Sequence, residues 1–384
     1  MRASMRRLGQ VAAVCSLALG LAAGARADET SGTWTGAATL RGNYYWERST
    51  RVIAPEGGLE VTAPNGVRMH ANYLVDTITS ASVAAGIVAD IRFTELRHDL
   101  RAGAGYTFDL GGPELDVDAS GHFSTESDYV SRGASLGAAL SLDDRATVLR
   151  LDASFADDTA SKILRGAQRS VAGRDLSNRG VVGTLDVLAL SLSWAQTITP
   201  ELVSDVGYDF GGLWGLQTNP YRTVSVQGAN RDETHPDTRY RHTFHAGLAY
   251  YVRTSRTAIH ALYRVYLDSW DIAALNPEVR VYQELGDDVV LRTRYRFFTQ
   301  TAAYFTQAPA LYVADDPYVT TDPKMTAFHT HLLGVSALVR LGFLDGTALS
   351  FAHRFELDFA FDYLWNTNRY GDGVIAQIGL RAPF

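Results

Sequence analysis

The sequence predicts an all-β fold: a transmembrane antiparallel β-barrel of about 16 strands, with 14 as the alternative, preceded by a cleaved signal peptide. Three observations predict it. Apolar residues recur at every second position along most of the chain, short turns alternate with longer connections, and the run 374–384 alternates up to a terminal Phe384. A strand places successive side chains on opposite faces, so one face of each segment suits lipid and the other a polar interior. A barrel strand needs only about ten such residues and looks weakly hydrophobic on average.

The N-terminus is consistent with export. Arg2, Arg6 and Arg7 precede an apolar run from Val11 to Gly24, and Ala25-Arg26-Ala27 is a small-x-small site before Asp28. That pattern is a Sec-type signal peptide over residues 1–27, leaving 28–384 as one barrel domain. The apolar run is too short to span a bilayer comfortably. Cys15, the only cysteine, lies within it behind Val14 and without a Leu-Ala-Gly-type lipobox, which argues against a lipoprotein. The remaining chain has no thiol for disulfides or thiolate chemistry. Removing four of the 35 basic residues leaves 31 against 42 acidic ones, formally −11. A basic footprint for nucleic acid is therefore absent. No later stretch approaches the length of an apolar helical span.

The candidate strands follow in order. In 95–108, Glu95, Arg97, Asp99 and Arg101 oppose Leu96, Leu100, Ala102, Tyr106 and Phe108. His98 falls on the apolar side there, and Leu74 on the polar side of its own segment. In 114–126, Leu115, Val117, Ala119 and Phe123 oppose Asp116, Asp118, Ser120, His122 and Glu126. In 257–270, Ile259, Ala261, Tyr263, Val265 and Leu267 oppose His260, Arg264, Tyr266 and Asp268, with Trp270 as an interface anchor beyond. In 289–300, Leu291, Tyr295 and Phe297 oppose Arg292, Arg294, Arg296 and Gln300. In 347–366, Leu349, Phe351, Phe355, Leu357, Phe359, Phe361, Tyr363 and Trp365 oppose Ser350, Arg354, Glu356, Asp358 and Asp362. The last run, closing on Phe384, resembles the signal that the barrel insertion machinery reads in bacterial outer-membrane proteins. A soluble β-sandwich also alternates, but the aromatic-rich apolar faces and the lack of a separate helical domain favour the barrel.

Short turns are predicted near Pro64-Asn65-Gly66, Gly111-Gly112-Pro113, Asp143-Asp144, Thr199-Pro200, Thr254-Ser255, Gly286-Asp287 and Asp345-Gly346. Longer connections fall near 80–91, 126–130, 157–182, 219–237, 269–274, 302–326 and 366–373. Barrels of this kind have short periplasmic turns and longer external loops. Counting back from Phe384 makes the Pro64 turn periplasmic, so 34–63 holds one strand going out and one returning. No fixed repeat or low-complexity tract interrupts the series.

Four motifs stand out between about 217 and 305: NPYRTV (219–224), HPDTR (235–239), YRVYLDSWDI (263–272) and RTRYRFFTQTAAYF (292–305). With YLVDTITSAS at 73–82, they resemble the DUF3570 family of bacterial outer-membrane β-barrel proteins, in the family's order and over essentially the whole chain after the leader. The resemblance implies a multi-pass barrel in the cell outer membrane. It implies nothing firm about activity. Genes of the family stand beside those of small lipoproteins and extracytoplasmic flavin-attachment enzymes, which implies a periplasmic lipoprotein partner and an assembly role but assigns no residue to it.

The candidate site is a lumen charge cluster: Arg264, Asp268, Glu278, Arg280, Glu284, Arg292, Arg294, Arg296, Arg354, Glu356 and Asp358. It reads in two ways, as the lining of a porin-like or solute-selective channel, or as an ion-pair ladder that closes a structural or docking barrel. Arg296 is expected near the level of Glu278 and paired with it. Phe384 is the candidate assembly signal. His329 and His331, with Asp315, Asp316 and Asp322 nearby in sequence, are weak metal-ligand candidates. No triad of an outer-membrane hydrolase is visible, so an enzyme is not expected. The glycine-rich turns follow no strand–helix unit, and no cofactor is implied. The partners expected are outer-membrane lipid and the insertion machinery.

Overall fold

In the computed structural model, the structure describes residues 32–48, 50–81, 92–163, 179–368 and 371–384. The expected signal peptide (1–27) lies outside them. Nine strands come first: β1 (Thr35–Glu47), β2 (Thr50–Thr62), β3 (Arg68–Ala81), β4 (Arg92–Asp109), β5 (Glu114–Thr125), β6 (Tyr129–Leu142), β7 (Thr147–Ile163), β8 (Arg179–Thr199) and β9 (Leu202–Gly215). A small hairpin follows, β10 (Thr223–Val226) and β11 (Ala229–Asp232). The series ends with β12 (Thr238–Val252), β13 (Thr257–Asp268), β14 (Ala273–Leu285), β15 (Val289–Gln300), β16 (Phe328–Arg340), β17 (Glu356–Asn366) and β18 (Gly373–Pro383).

All but β10 and β11 form one closed antiparallel barrel, so 16 strands surround the lumen as the sequence predicts. The ring closes where β1 meets β18, in register from Ala37↔Pro383 to Glu47↔Gly373. Phe384 extends this seam. Its amide donates to the Gly36 carbonyl at 2.9 Å and its carbonyl accepts from Gly36 N–H at 3.0 Å. Its ring lies over Gly36, where a Cβ would sit 2.6 Å from Phe384 Cζ.

Thr35 at the start of β1, Phe384 and the tight turns at 63–67, 110–113, 143–146, 200–201, 253–256 and 286–288 share one end of the barrel; the longer connections 216–237 and 301–327 share the other, beside short links at 126–128 and 269–272. At the turn end, Asp143 and Asp144 adopt φ of 51° and 52°, the left-handed geometry that a tight hairpin demands and that Asp tolerates. One predicted turn is wrong. Asp345-Gly346 sits inside a 15-residue connection, 341–355, with 3₁₀ turns at Leu341–Leu344 and Ser350–Ala352. Local bonds such as Phe355 N–H to the Ala352 carbonyl (2.9 Å) hold this segment. Its alternating Leu349, Phe351 and Phe355 match strand spacing by coincidence, and β17 begins only at Glu356. Arg354 therefore lies on this connection and not on the lumen wall.

The pattern of faces otherwise holds. Leu40, Phe361 and Val335 are exposed on the outer face at 64%, 48% and 54%. His98 does point outward, and its Nδ1 lies 2.7 Å from the Tyr73 hydroxyl. Leu74 sits in register with the inward Glu56 and Asp99. The Tyr–His pair recurs at the same diagonal position as Tyr208–His242 (2.8 Å) and Tyr295–His331 (2.8 Å). Each satisfies two polar groups on a face that otherwise suits lipid.

Candidate functional site

The inward residues of β12–β17 form a charged wall. Cross-strand register aligns Glu278 with Arg296, Arg280 with Arg294, and Gly334 with both Arg294 and Asp362. Arg296 is at the level of Glu278 as expected, but Glu278 pairs with Arg280 on its own strand at 2.5 Å. Residues two apart on a strand share a face, so Arg280 reaches the carboxylate although Arg296 stands directly opposite it in register. Arg294 instead crosses β16 to Asp362, with Nε donating to Oδ1 at 2.7 Å. Gly334 opens this path: a Cβ there would overlap Asp362 Oδ1 and sit 2.9 Å from Arg294 Cγ.

The other expected members divide. Asp268 is bound by Arg239 Nε (2.8 Å) and by the Tyr266 hydroxyl (2.7 Å). Glu284 pairs with Arg256 of the turn at 2.8 Å. Glu356 lies 3.7 Å from Arg340 and 3.8 Å from Arg381. Asp358 lies against Gly379. Among the described residues, Arg264, Arg292 and Arg296 form no ion pair, and neither does Arg241 of β12.

The facing arc, β4–β9, is built from smaller side chains. Ser120 and Ser135 hydroxyls lie 2.7 Å apart, and Ser191 donates to Asp209 at 2.7 Å. Arg150 bridges Asp152 (2.5 Å) and Asp118 (3.1 Å) over Gly137, where a Cβ would lie 2.6–2.7 Å from all three. A recess of about 470 Å³ opens on this arc, lined by Ser135, Ser154, Ala189 and Ser191 among others.

A folded cap sits at the loop end, and the sequence motifs meet in it. The β10–β11 hairpin buries Val224 and Val226 against Tyr312 and Val319 of the connection 301–327. Thr234 and Val319 exchange backbone hydrogen bonds of 3.0 Å. A second cluster joins Trp270, Ile272, Ala303, Phe305 and Met325. Trp270, expected as an interface anchor, is only 2% exposed. The Arg239 guanidinium stacks on it at 4.1 Å, and its indole N–H donates to the Thr238 carbonyl at 3.0 Å. At the centre, Arg222 pairs with Glu233 (3.0 Å) and Asp322 (2.7 Å). Burial opposes ionisation of Glu233, but His235, Arg222 and a 2.6 Å bond from Thr320 outweigh it and hold the carboxyl at about 2. The cap is tied to the opposite rim by Tyr221, whose hydroxyl donates to Asp128 at 2.5 Å. Arg222, Glu233 and Arg239 have no role in the sequence pattern, although Arg222 and Arg239 stand in its motifs, and Asp322, expected beside the two histidines, stands beside Arg222 instead.

His329 and His331 do not gather ligands. Both project from the outer face, edge to face at 5.8 Å, and Asp322 belongs to Arg222. Elsewhere at the loop end, Glu95, Glu126 and Asp128 bring carboxylate oxygens within 4.8 Å of one another. Burial, and then the neighbouring carboxylates against the opposing pull of Arg97, raise Glu126 to about 7.

The family model described as a protein of unknown function, DUF3570, matches residues 83–380. The chain belongs to that family. The match begins after the segment 73–82 and takes in the whole DUF3570 cap and the charged wall. No curated protein matches the sequence. Among solved structures, a bacterial polysaccharide outer membrane secretin superposes with a TM-score of 0.53 at 8% identity, covering 91% of this chain and 98% of that one. The siderophore receptor PirA of Pseudomonas aeruginosa gives 0.44 at 10% identity, over 92% of this chain and 62% of the receptor. OprD of the same organism gives 0.46 at 8%, over 94% and 98%. The first likeness is one of fold alone.

Proposed function

We propose that this DUF3570 protein is an outer-membrane barrel that conducts small solutes through its charged lumen, with the short turns in the periplasm and the long connections outside. The single observation that carries the reading is how the inward charges are stored. Arg294–Asp362 and Arg150–Asp152 lie against the wall over Gly334 and Gly137, which keeps these two arginines out of the central space. Rings of 16 strands are wide enough to leave an aqueous channel, and the recess on the facing arc adds room.

The cap favours a second reading, a closed structural or docking barrel without transport activity. Efflux of small dyes and sugars from proteoliposomes separates the two. Release of solutes of a few hundred daltons supports the conduit; complete retention by correctly folded protein supports the closed barrel.

A further inference from the structure

The arginines of the lumen wall are not all spoken for. Asp268 holds Arg239, Glu278 holds Arg280 and Asp362 holds Arg294. On the facing arc, Asp116 holds Arg68, Asp99 holds Arg101 and His122, and Arg150 takes both Asp118 and Asp152. What remains on β12–β15 is positive: Arg241, Arg264, Arg292 and Arg296 form no ion pair among the described residues. Arg241 Nε and Arg292 Nε are moreover buried without a hydrogen-bond partner. A buried donor without an acceptor is costly, and a guanidinium is the group best matched to a planar or tetrahedral oxyanion.

These four residues are also spaced along the lumen. Counted from the turn end, Arg292 is three residues into β15 (292 − 289) and Arg296 seven (296 − 289). Arg264 is seven into β13 (264 − 257), and Arg241 is eleven from the turn end of β12 (252 − 241). Steps of four residues are about 13 Å along a strand. The upper step lies beneath the cap, two residues along β12 from Arg239 and across from Asp268 in register.

We infer that Arg241, Arg264, Arg296 and Arg292 form a stepped site for small oxyanions, phosphate or carboxylate solutes, which pass from one guanidinium level to the next. The inference rests on the proposed conduit. Its chemistry is binding alone. Each level offers donors that no protein carboxylate consumes, so an entering oxyanion replaces water without displacing an ion pair.

The test is a planar bilayer holding the full-length barrel under a tenfold KCl gradient, followed by titration with inorganic phosphate. The expected result is a reversal potential of the sign for chloride preference, and a chloride current that phosphate reduces. Arg264→Gln with Arg296→Gln should weaken the phosphate effect at least tenfold. Arg296→Lys keeps the charge but loses the forked donor geometry, so it should retain chloride preference while binding phosphate several-fold more weakly. This milder variant serves if the double substitution fails to fold. Cation preference, or a current indifferent to phosphate, would overturn the site and leave the conduit standing. Absence of any current would overturn the conduit itself, and the site with it.

Discussion

Arg294 reaches Asp362 across an intervening strand, and it does so over Gly334. Asp362 is 1% exposed and Arg294 is half-buried, so the pair is sheltered from solvent. Removing one partner of a buried pair costs on the order of 3–5 kcal/mol. Asp362→Ala should therefore lower the unfolding temperature in detergent markedly. Gly334→Ala should cost a similar amount by filling the path between the two side chains. Because both changes break one interaction, the double variant should be far less destabilised than the sum. Additive losses would show that the glycine acts independently of the pair.

The cap carries its own pH dependence. Glu233 has a carboxyl held at about 2, below its ordinary 4.5. A depressed carboxylate contributes stability that is present above the unfolded value and lost as pH falls through the folded one. Between pH 4.5 and about 2, protection of 216–237 against hydrogen exchange should therefore decline, and Glu233→Gln should abolish that slope.

Glu126 acts in the opposite sense. Its carboxyl is raised to about 7, so the stabilisation of its protonated form is full below 4.5 and lost as pH rises through 7. Glu126→Gln should flatten the dependence in that window alone. Exchange in the β5–β6 link around Glu126 that stays constant from pH 4.5 to 7.5 would contradict this placement of Glu126.

Much of this was legible in the sequence because the strand period is exposed to direct reading. Alternation located most strands and the inward positions of Arg292, Arg294 and Arg296, and the spacing of turns and longer connections supplied the count of 16. The partners were not legible. Whether Arg294 meets Asp362 depends on register across two strand pairs and on the lack of a side chain at Gly334, neither of which one strand's pattern contains. Glu278 pairs with Arg280 on its own strand and not with the opposed Arg296, a choice between two same-face arginines that alternation alone does not decide. The cap was missed for another reason. Its hairpin strands are four residues each, too short for periodicity to register, although the Gln227-Gly228 turn with φ of 49° and 87° marks it. Between Leu341 and Phe355, spacing imitated a strand where local 3₁₀ bonding prevails.

Phe384 is both the end of the barrel seam and the residue expected to be read by the insertion machinery. Deleting it should lower the amount of barrel in the outer membrane several-fold while refolding in detergent is retained. Gly36→Val, which intrudes on the seat of the ring, should mimic part of the defect. Unchanged membrane levels of the deletion would refute the assignment.

Orientation has a direct readout. Ala310 is exposed at the loop end in the connection that forms the cap, so a small epitope there should leave the buried clusters intact. It should be labelled on intact cells. Labelling only after the outer membrane is broken would place the cap in the periplasm.

The most direct test of the charged conduit is the current carried by wild-type protein in a planar bilayer at symmetric salt. The account predicts discrete conductance steps, with the barrel still migrating as a compact, heat-modifiable species. A correctly folded barrel that inserts and passes no current at any voltage would contradict it.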